Sequence, residues 1–546
     1  MHPDDDPYIL GGEHGFWADV AADRVLERDP EEPIVIKGGI SPSGVPHLGN
    51  MNEIVRGYLV AAVLRERGYE VRQVFTSDDR DPLRKLPRKL ADLDGNVVDL
   101  GDVDAGALGR NLGAPYTAIP DPFGCCESYG DHFANLIQSS AEALGIDVEM
   151  VSNTELYEDG DLEAVTSFLL EHRADAREVL SEYQDKVDDD YVPFNPICEH
   201  CGKITETVTS VDVAAGTVDY VCTDVEAGDR TIEGCGHEGT ATLREGKLPW
   251  RFEWPAQWRV LGVDFEPFGK DHAEGSWPSG TDIARNVLGD EPPVPMVYEW
   301  FTLDGEPFSS SSGHVVLVQD VLRLVEPEVV LFFFSKDPQR ARDFSVEGID
   351  QLVDEFDRME AVYFGEVDAG EEERERAERV YPLLVDEPRE DRIRVPYTFA
   401  AVLGMTDDPD LREEIARREG HIPEDAPRWA VDAALERVER AREWARRTDN
   451  EFNYDLKRAE IPDHDFDAAT EAALDDLADF VEAERPDGDR LQGEIYEAAK
   501  RHGVDVADFF AAGYRLFFDE RQGPKLGQFL AELDREFVLQ RLRREA

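Results

Sequence analysis

Lysine is scarce in this chain: 11 of its 546 residues, against 46 arginines. Acidic residues outnumber all basic ones, 120 to 57, leaving a formal charge of −63. So strong a deficit of positive charge argues against a general nucleic-acid-binding surface, although local arginine patches can still meet phosphates. Cysteine is also rare: there are six, with Cys125/Cys126 and Cys198/Cys201 closely spaced and Cys222 and Cys235 separated by twelve residues, which suggests metal ligands and not a disulfide framework. No secretory apolar segment and no apolar run of about 18 residues occurs, so no membrane span or membrane partner is expected and a cytoplasmic location is. No internal repeat is evident. A disordered acidic chain is excluded by regular apolar periodicity throughout. The composition fits a folded protein working in molar salt, where the Debye length is about 3 Å and self-repulsion is tolerable.

The clearest local pattern lies at residues 38–50, Gly-Gly-Ile-Ser-Pro-Ser-Gly-Val-Pro-His-Leu-Gly-Asn. It follows an apolar run, Pro33 to Ile36, that reads as a buried strand. It precedes Met51 to Arg67, where Ile54, Tyr58, Leu59, Ala62 and Val63 recur at helical spacing. A strand, a Gly/Ser/Pro turn and a helix N-terminus make a phosphate cradle: unpaired N–H groups, close backbone approach and a histidine that can donate to a phosphate oxygen. A second strand, Val71 to Ser77, completes a βαβ unit and ends in Asp78-Asp79-Arg80-Asp81. Ligands in such sheets bind beyond the strand C-termini. Asp78 and Asp79 are therefore site candidates, a solvated loop being the other reading.

Residues 84–124 are loop-rich, and a helix then runs through Ile137, Ala141 and Leu144 to a third strand at 148–151. Further helices are expected over 160–187, short hairpins over 203–245, a strand that ends in a loop within 265–272, another strand at 297–303, and helices from about 346 onward. Cys198-x2-Cys201, with Cys222 and Cys235, forms a four-thiolate set suited to zinc, with His200 and His237 as alternative ligands and buried free thiols as the competing reading. Asp121, Cys125, Cys126 and His132 could complete a second tetrahedron if Gly124 bends the backbone.

Pro-Ser-Gly-x-x-His-x-Gly-Asn at 42–50 resembles the first signature of class I aminoacyl-tRNA synthetases. Asp-Asp-x-Asp at 78–81, Ile119 to Cys125, Glu266 to His272 (Glu-Pro-Phe-Gly-Lys-Asp-His) and Gly523 to Leu530 extend the likeness. As an ordered set they closely resemble the archaeal-type class I lysyl-tRNA synthetases over nearly the whole chain, and the charge balance resembles that of haloarchaeal proteins. The resemblance implies an α/β Rossmann-type catalytic domain (1–115 and 246–306) and a zinc-bearing connective insertion (116–245). A small stem-contact-type domain (307–375) and an all-α helical anticodon cage (376–546) would follow.

The implied reaction joins L-lysine to tRNA(Lys) through lysyl-adenylate, using ATP with Mg2+. Structural zinc, one ion or two, is also implied. ATP would lie against Pro42, Ser43, Gly44, His47, Gly49, Asn50, Gly269, Ser309, Ser310 and Ser311. His47, Asn50, Lys270, Asp271 and His272 would carry the chemistry. Lysine would be read by residues drawn from Gly39, Ser41, Glu53, Asp78, Asp79, Trp254 and Trp258, core packing being the other reading for the tryptophans. One departure stands out. The second family signature, Lys-Met-Ser-x-Ser, is here Pro307-Phe308-Ser309-Ser310-Ser311-Ser312-Gly313, which keeps the serines but lacks its lysine. Lys270, an arginine or a metal ion would have to compensate. Rival readings are a glutamyl- or glutaminyl-type synthetase and a catalytically impaired tRNA-binding paralogue.

Overall fold

The computed structural model describes residues 6–10, 15–185, 187–228, 230–308 and 314–545. The chain divides into two compact units, Met1–Leu322 with Pro327–Ser345 and Met359–Pro388, and Arg323–Glu326 with Val346–Arg358 and Arg389–Ala546.

The first unit is built on a five-stranded sheet. Helix α1 (Trp17–Leu26) precedes β1 (Ile34–Ile40), helix α2 (Met51–Glu66) and β2 (Val71–Ser77). Helix α3 (Tyr129–Ala143) leads to β3 (Glu149–Ser152), and helix α4 (Trp250–Leu261) to β4 (Val263–Gly269), with β5 (Val294–Tyr298) last. The order across the sheet is β5-β4-β1-β2-β3, and every neighbouring pair is parallel. Parallel strands need both faces covered, which is why Ile34-Val35-Ile36 is apolar without alternation and fully buried. The chain travels outward from β1 through β2 to β3, then returns to the other side of β1 with β4. The strand order therefore switches between β1 and β4, and the crevice beyond their C-terminal ends is the expected ligand position.

β3 lies inside the stretch assigned from sequence to the insertion, yet it belongs to the central sheet. The insertion's own hairpins lie in the region that follows. Val208–Asp212, Thr217–Val221 and Glu238–Thr242 make a three-stranded antiparallel sheet, and Asn195–Pro196 pairs with Gly246–Lys247 at the base. The single strand expected at 297–303 is two. β5 ends at Tyr298, where the Glu299 N–H donates to the Pro338 carbonyl. Phe301–Leu303 then pairs with Glu306–Pro307 and Arg342–Phe344 in a separate small sheet. The aromatic-rich stretch from Arg251 to Trp258 is helical.

The second unit is helical, as the periodicity beyond 346 implies. Its longest described helix, Arg428–Thr448, buries Ala430, Val431, Ala434, Val438 and Ala441 along one stripe. Arg437 on that stripe is buried and holds both Asp357 (2.6 and 2.9 Å) and Glu326 (2.7 Å). Removing one partner would strand a buried charge, at a cost of about 3–5 kcal/mol.

Candidate active site at the strand switch point

β1 ends at Ile40, and the signature turn reaches α2 through a single 3-10 turn, Leu48–Asn50. The turn is held at both ends: the Asn50 side-chain oxygen accepts the His47 N–H at 2.8 Å, and the Leu48 N–H donates to the Val316 carbonyl at 2.8 Å. The His47 ring stacks on Phe308 at 4.8 Å, so the start of the second signature segment lies against the first. Burial lowers the His47 pKa to about 4, which keeps the imidazole neutral near pH 7. Its Nδ1 is buried without a hydrogen-bond partner among the described residues. A buried polar atom left unpaired costs about 1–3 kcal/mol. Gly49 makes the room: a Cβ there would stand 2.8 Å from that nitrogen.

Glu53, in the first turn of α2, reaches back under the end of β1. One carboxylate oxygen accepts the Gly39 N–H (2.8 Å) and the other the Tyr298 hydroxyl (3.0 Å). Burial pushes its pKa up to about 7. Gly39 must lack a side chain, because a Cβ would fall 2.2 Å from the Thr76 hydroxyl. Neighbouring Glu266 is committed elsewhere. It accepts Lys37 Nζ (2.8 Å), Trp254 Nε1 (3.0 Å) and Trp258 Nε1 (2.6 Å). Trp254 and Trp258 are thus buried in a cluster with Phe268 and Trp277, and the core reading describes their surroundings. Trp250 stacks on Trp254 at 5.3 Å and lines an adjacent cavity. Sequence reasoning missed it, although its i, i+4, i+8 spacing with Trp254 and Trp258 is the signal that would have found it.

Asp78 and Asp79 are buried, not solvated. Asp78 accepts from Asn153 (2.9 Å) and Gln257 (3.3 Å), and burial, with Asp81 and Glu253 nearby, raises its pKa to about 8. Asp79 accepts the Thr154 N–H at 2.8 Å and is raised, mainly by burial, to about 6. Arg80 binds Glu158 and the carbonyls of Arg244 and Gly246. Asp81 pairs with Lys247, which also holds Glu253 at 2.8 Å. The whole Asp-Asp-Arg-Asp run is therefore satisfied within the protein, and it ties the end of β2 to the returning insertion.

Gly269 ends β4 opposite Tyr298, and the short helix Lys270–Glu274 follows. The Lys270 ammonium binds Glu299 and sits 5.1 Å from the Trp300 ring centroid. Asp271 is half-exposed, 3.7 Å from the His272 Nε2. The His272 ring centroid is 5.5 Å from that of Trp254. Ser309, Ser310 and Ser311 lie outside the described residues. A cavity of about 570 Å³ adjoins the turn, with Ser41, Ser43 and Gly44 on one wall and Lys247 and Trp250 among its other residues.

Both metal-type clusters assemble. The sulfurs of Cys198 and Cys235, and of Cys201 and Cys222, are 3.7 Å apart, and all four lie within 4.8 Å of one another. A zinc ion with bonds of about 2.3 Å needs sulfur separations of about 3.8 Å in a tetrahedron. His237 instead contacts Glu199, and neither histidine joins the four-sulfur group. Asp121, Cys125, Cys126 and His132 converge equally. There the His132 Nε2 is 2.8 Å from the Ala91 carbonyl. Donating to that oxygen fixes the tautomer that leaves Nδ1 free as a ligand. Gly124 has φ +71°, the bend that lets adjacent cysteines face one centre.

A family model described as "tRNA synthetases class I (K)" matches residues 15–386. A protein named "Lysine--tRNA ligase" from Halobacterium salinarum is 79% identical over 100% of both chains. Another so named, from Pyrococcus horikoshii, is 33% identical over 97% of this chain and 99% of its own. This chain belongs to the class I tRNA synthetases. No described helix is long and apolar enough to cross a membrane.

Proposed function

We infer that this protein is an enzyme that ligates L-lysine to tRNA(Lys). The lysine carboxylate attacks the α-phosphate of ATP, pyrophosphate leaves, and a terminal ribose hydroxyl of the tRNA then takes the lysyl group from the adenylate, releasing AMP. The observation that carries this reading is full-length identity of up to 79% to a lysine–tRNA ligase, joined to an unpaired His47 nitrogen at the switch-point crevice.

The geometry supports the following roles. His47 Nδ1 and the helix N-terminus behind it take the triphosphate and stabilise charge growing at the α-phosphate. Asn50 holds that turn in shape. Glu53 neutralises the ammonium of lysine, Gly39 holds that carboxylate through its N–H, and Ser41 borders the substrate beyond the end of β1. Gly269, Asp271 and His272 border the nucleotide. Lys270 is the nearby loop's cation, although it is shared with Glu299. No proton-transfer group is needed, since positioning and charge stabilisation suffice.

Residues 195–247 form the core of a connective insertion, residues 307–375 a stem-contact-type segment, and the helical stretch from 376 an anticodon-binding cage. ATP acts as its magnesium complex. The four-thiolate cluster and the Asp121 cluster each hold structural zinc, which pins the hairpins and the α3 entry loop. Amino-acid-dependent ATP–pyrophosphate exchange, run in molar potassium chloride with tRNA(Lys) present, tests the reading. Lysine should drive exchange; exchange driven by glutamate or glutamine instead would refute it.

A further inference from the structure

The loop after β2 differs in charge from its surroundings. Residues 83–90, Leu-Arg-Lys-Leu-Pro-Arg-Lys-Leu, carry four cations and no carboxylate in a chain where acids outnumber bases about two to one. The loop is firmly seated. Leu83 and Leu90 are buried with Leu108, Tyr116 and Tyr129. The Leu83 N–H donates to the Ala114 carbonyl, and the Gly113 N–H to the Leu83 carbonyl, both at 2.9 Å. Between these pegs Arg84 and Lys85 are exposed, and both line the 570 Å³ cavity that Ser41, Ser43 and Gly44 bound on its other wall.

Of the neighbouring cations, Arg80 pairs with Glu158, Lys89 with Asp99 and Arg244 with Glu163; Arg88 has no ion pair among the described residues, but it stands outside the cavity. Arg84 and Lys85 have no ion pair or hydrogen bond among the described residues. Two carboxylates share the cavity, but Asp81 is already neutralised by Lys247, leaving Glu206. In a molecule of charge −63, two cations kept unpaired beside the signature turn are available to an incoming anion.

We propose that Arg84 and Lys85 form a phosphate-binding site at this cavity, for the phosphates of either the tRNA 3′ end or ATP. The choice of these two sources rests on the function inferred above. An arginine fork and a lysine point charge are the usual pair for phosphate oxygens. Molar salt limits electrostatic reach to about 3 Å, so recognition there needs direct contacts from fixed side chains, which this pegged loop supplies. The second signature has lost its lysine, so the site has one cation fewer to offer a phosphate.

The test compares Arg84→Ala/Lys85→Ala with the parent, and with Arg88→Ala as a control on the same loop. Arg88 is exposed but does not line the cavity. Binding of tRNA(Lys) is measured directly, without lysine or ATP. The KM for ATP is measured by lysine-dependent exchange, and both are run in molar potassium chloride. At least a fivefold rise in one constant is expected, and which one rises identifies the source. For RNA, the slope of log affinity against log salt should also fall by about one to two. Smaller changes in both constants, or an equal effect from Arg88→Ala, would overturn the site. If the parent fails to exchange with lysine while the double variant still loses tRNA affinity, the functional reading falls and the site stands.

Discussion

At the scale of single residues, the site is defined by groups that the fold leaves in unusual states. His47 is neutral and keeps one ring nitrogen unpaired. His47→Ala removes no internal hydrogen bond of that nitrogen. It should lower lysine-dependent pyrophosphate exchange at least tenfold while shifting the melting temperature by only a few degrees. Unchanged exchange would remove His47 from the phosphate site. Glu53 is raised by burial to about 7 from an ordinary 4.5. A carboxyl with a raised folded pKa is held protonated by the fold. Its favourable contribution to stability is complete below about pH 4.5 and is lost as pH rises through about 7. Lysine binding has the opposite sign, because its ammonium favours the ionised carboxylate. The KM for lysine should therefore fall about tenfold per pH unit up to about 7 and level off above it. Glu53→Gln should raise the KM and flatten the profile; an unaltered pH dependence in that variant would assign the ammonium to another group.

At the scale of elements, the strand-turn-helix unit at 34–66 was legible because its apolar spacing and turn residues are local. So were the hairpins of 203–245 and both metal sets. What was not legible depended on partners distant in sequence. Asp78 and Asp79 could not be separated from a solvated acidic loop, since Asn153, Thr154 and Gln257 satisfy them from far along the chain. The indole N–H groups of Trp254 and Trp258 are taken by Glu266, which Lys37 holds from across the sheet. The break after Tyr298 arises from a bond to Pro338, which no pattern within 297–303 announces. The metal clusters carry their own prediction. Elemental analysis should find two zinc ions per chain. Cys125→Ser/Cys126→Ser should leave one, held by the four thiolates, and an unchanged zinc content would refute the second site.

At the scale of the whole molecule, charge is the governing fact. A surplus of 63 negative charges repels itself unless screened, and ion pairs such as Arg379 with Asp19 and Glu66 neutralise only part of it. Diluting potassium chloride from molar concentration to about 0.1 M lengthens screening from about 3 to 10 Å. The melting temperature should drop by more than about 10 °C. A salt-independent melting curve would contradict the account of the composition. The same charge makes recognition of a polyanionic tRNA depend on a few fixed cations and not on a diffuse basic field.

Activation of lysine in this crevice and its transfer to tRNA are read together by one assay. The most direct measurement is acid-stable radiolabel on tRNA(Lys), with purified protein, ATP and one labelled amino acid at a time in molar potassium chloride. Lysine should be incorporated to near stoichiometry, with glutamate and glutamine at background. Incorporation of glutamate or glutamine in place of lysine, or none at all from a protein that still binds tRNA, would contradict this reading.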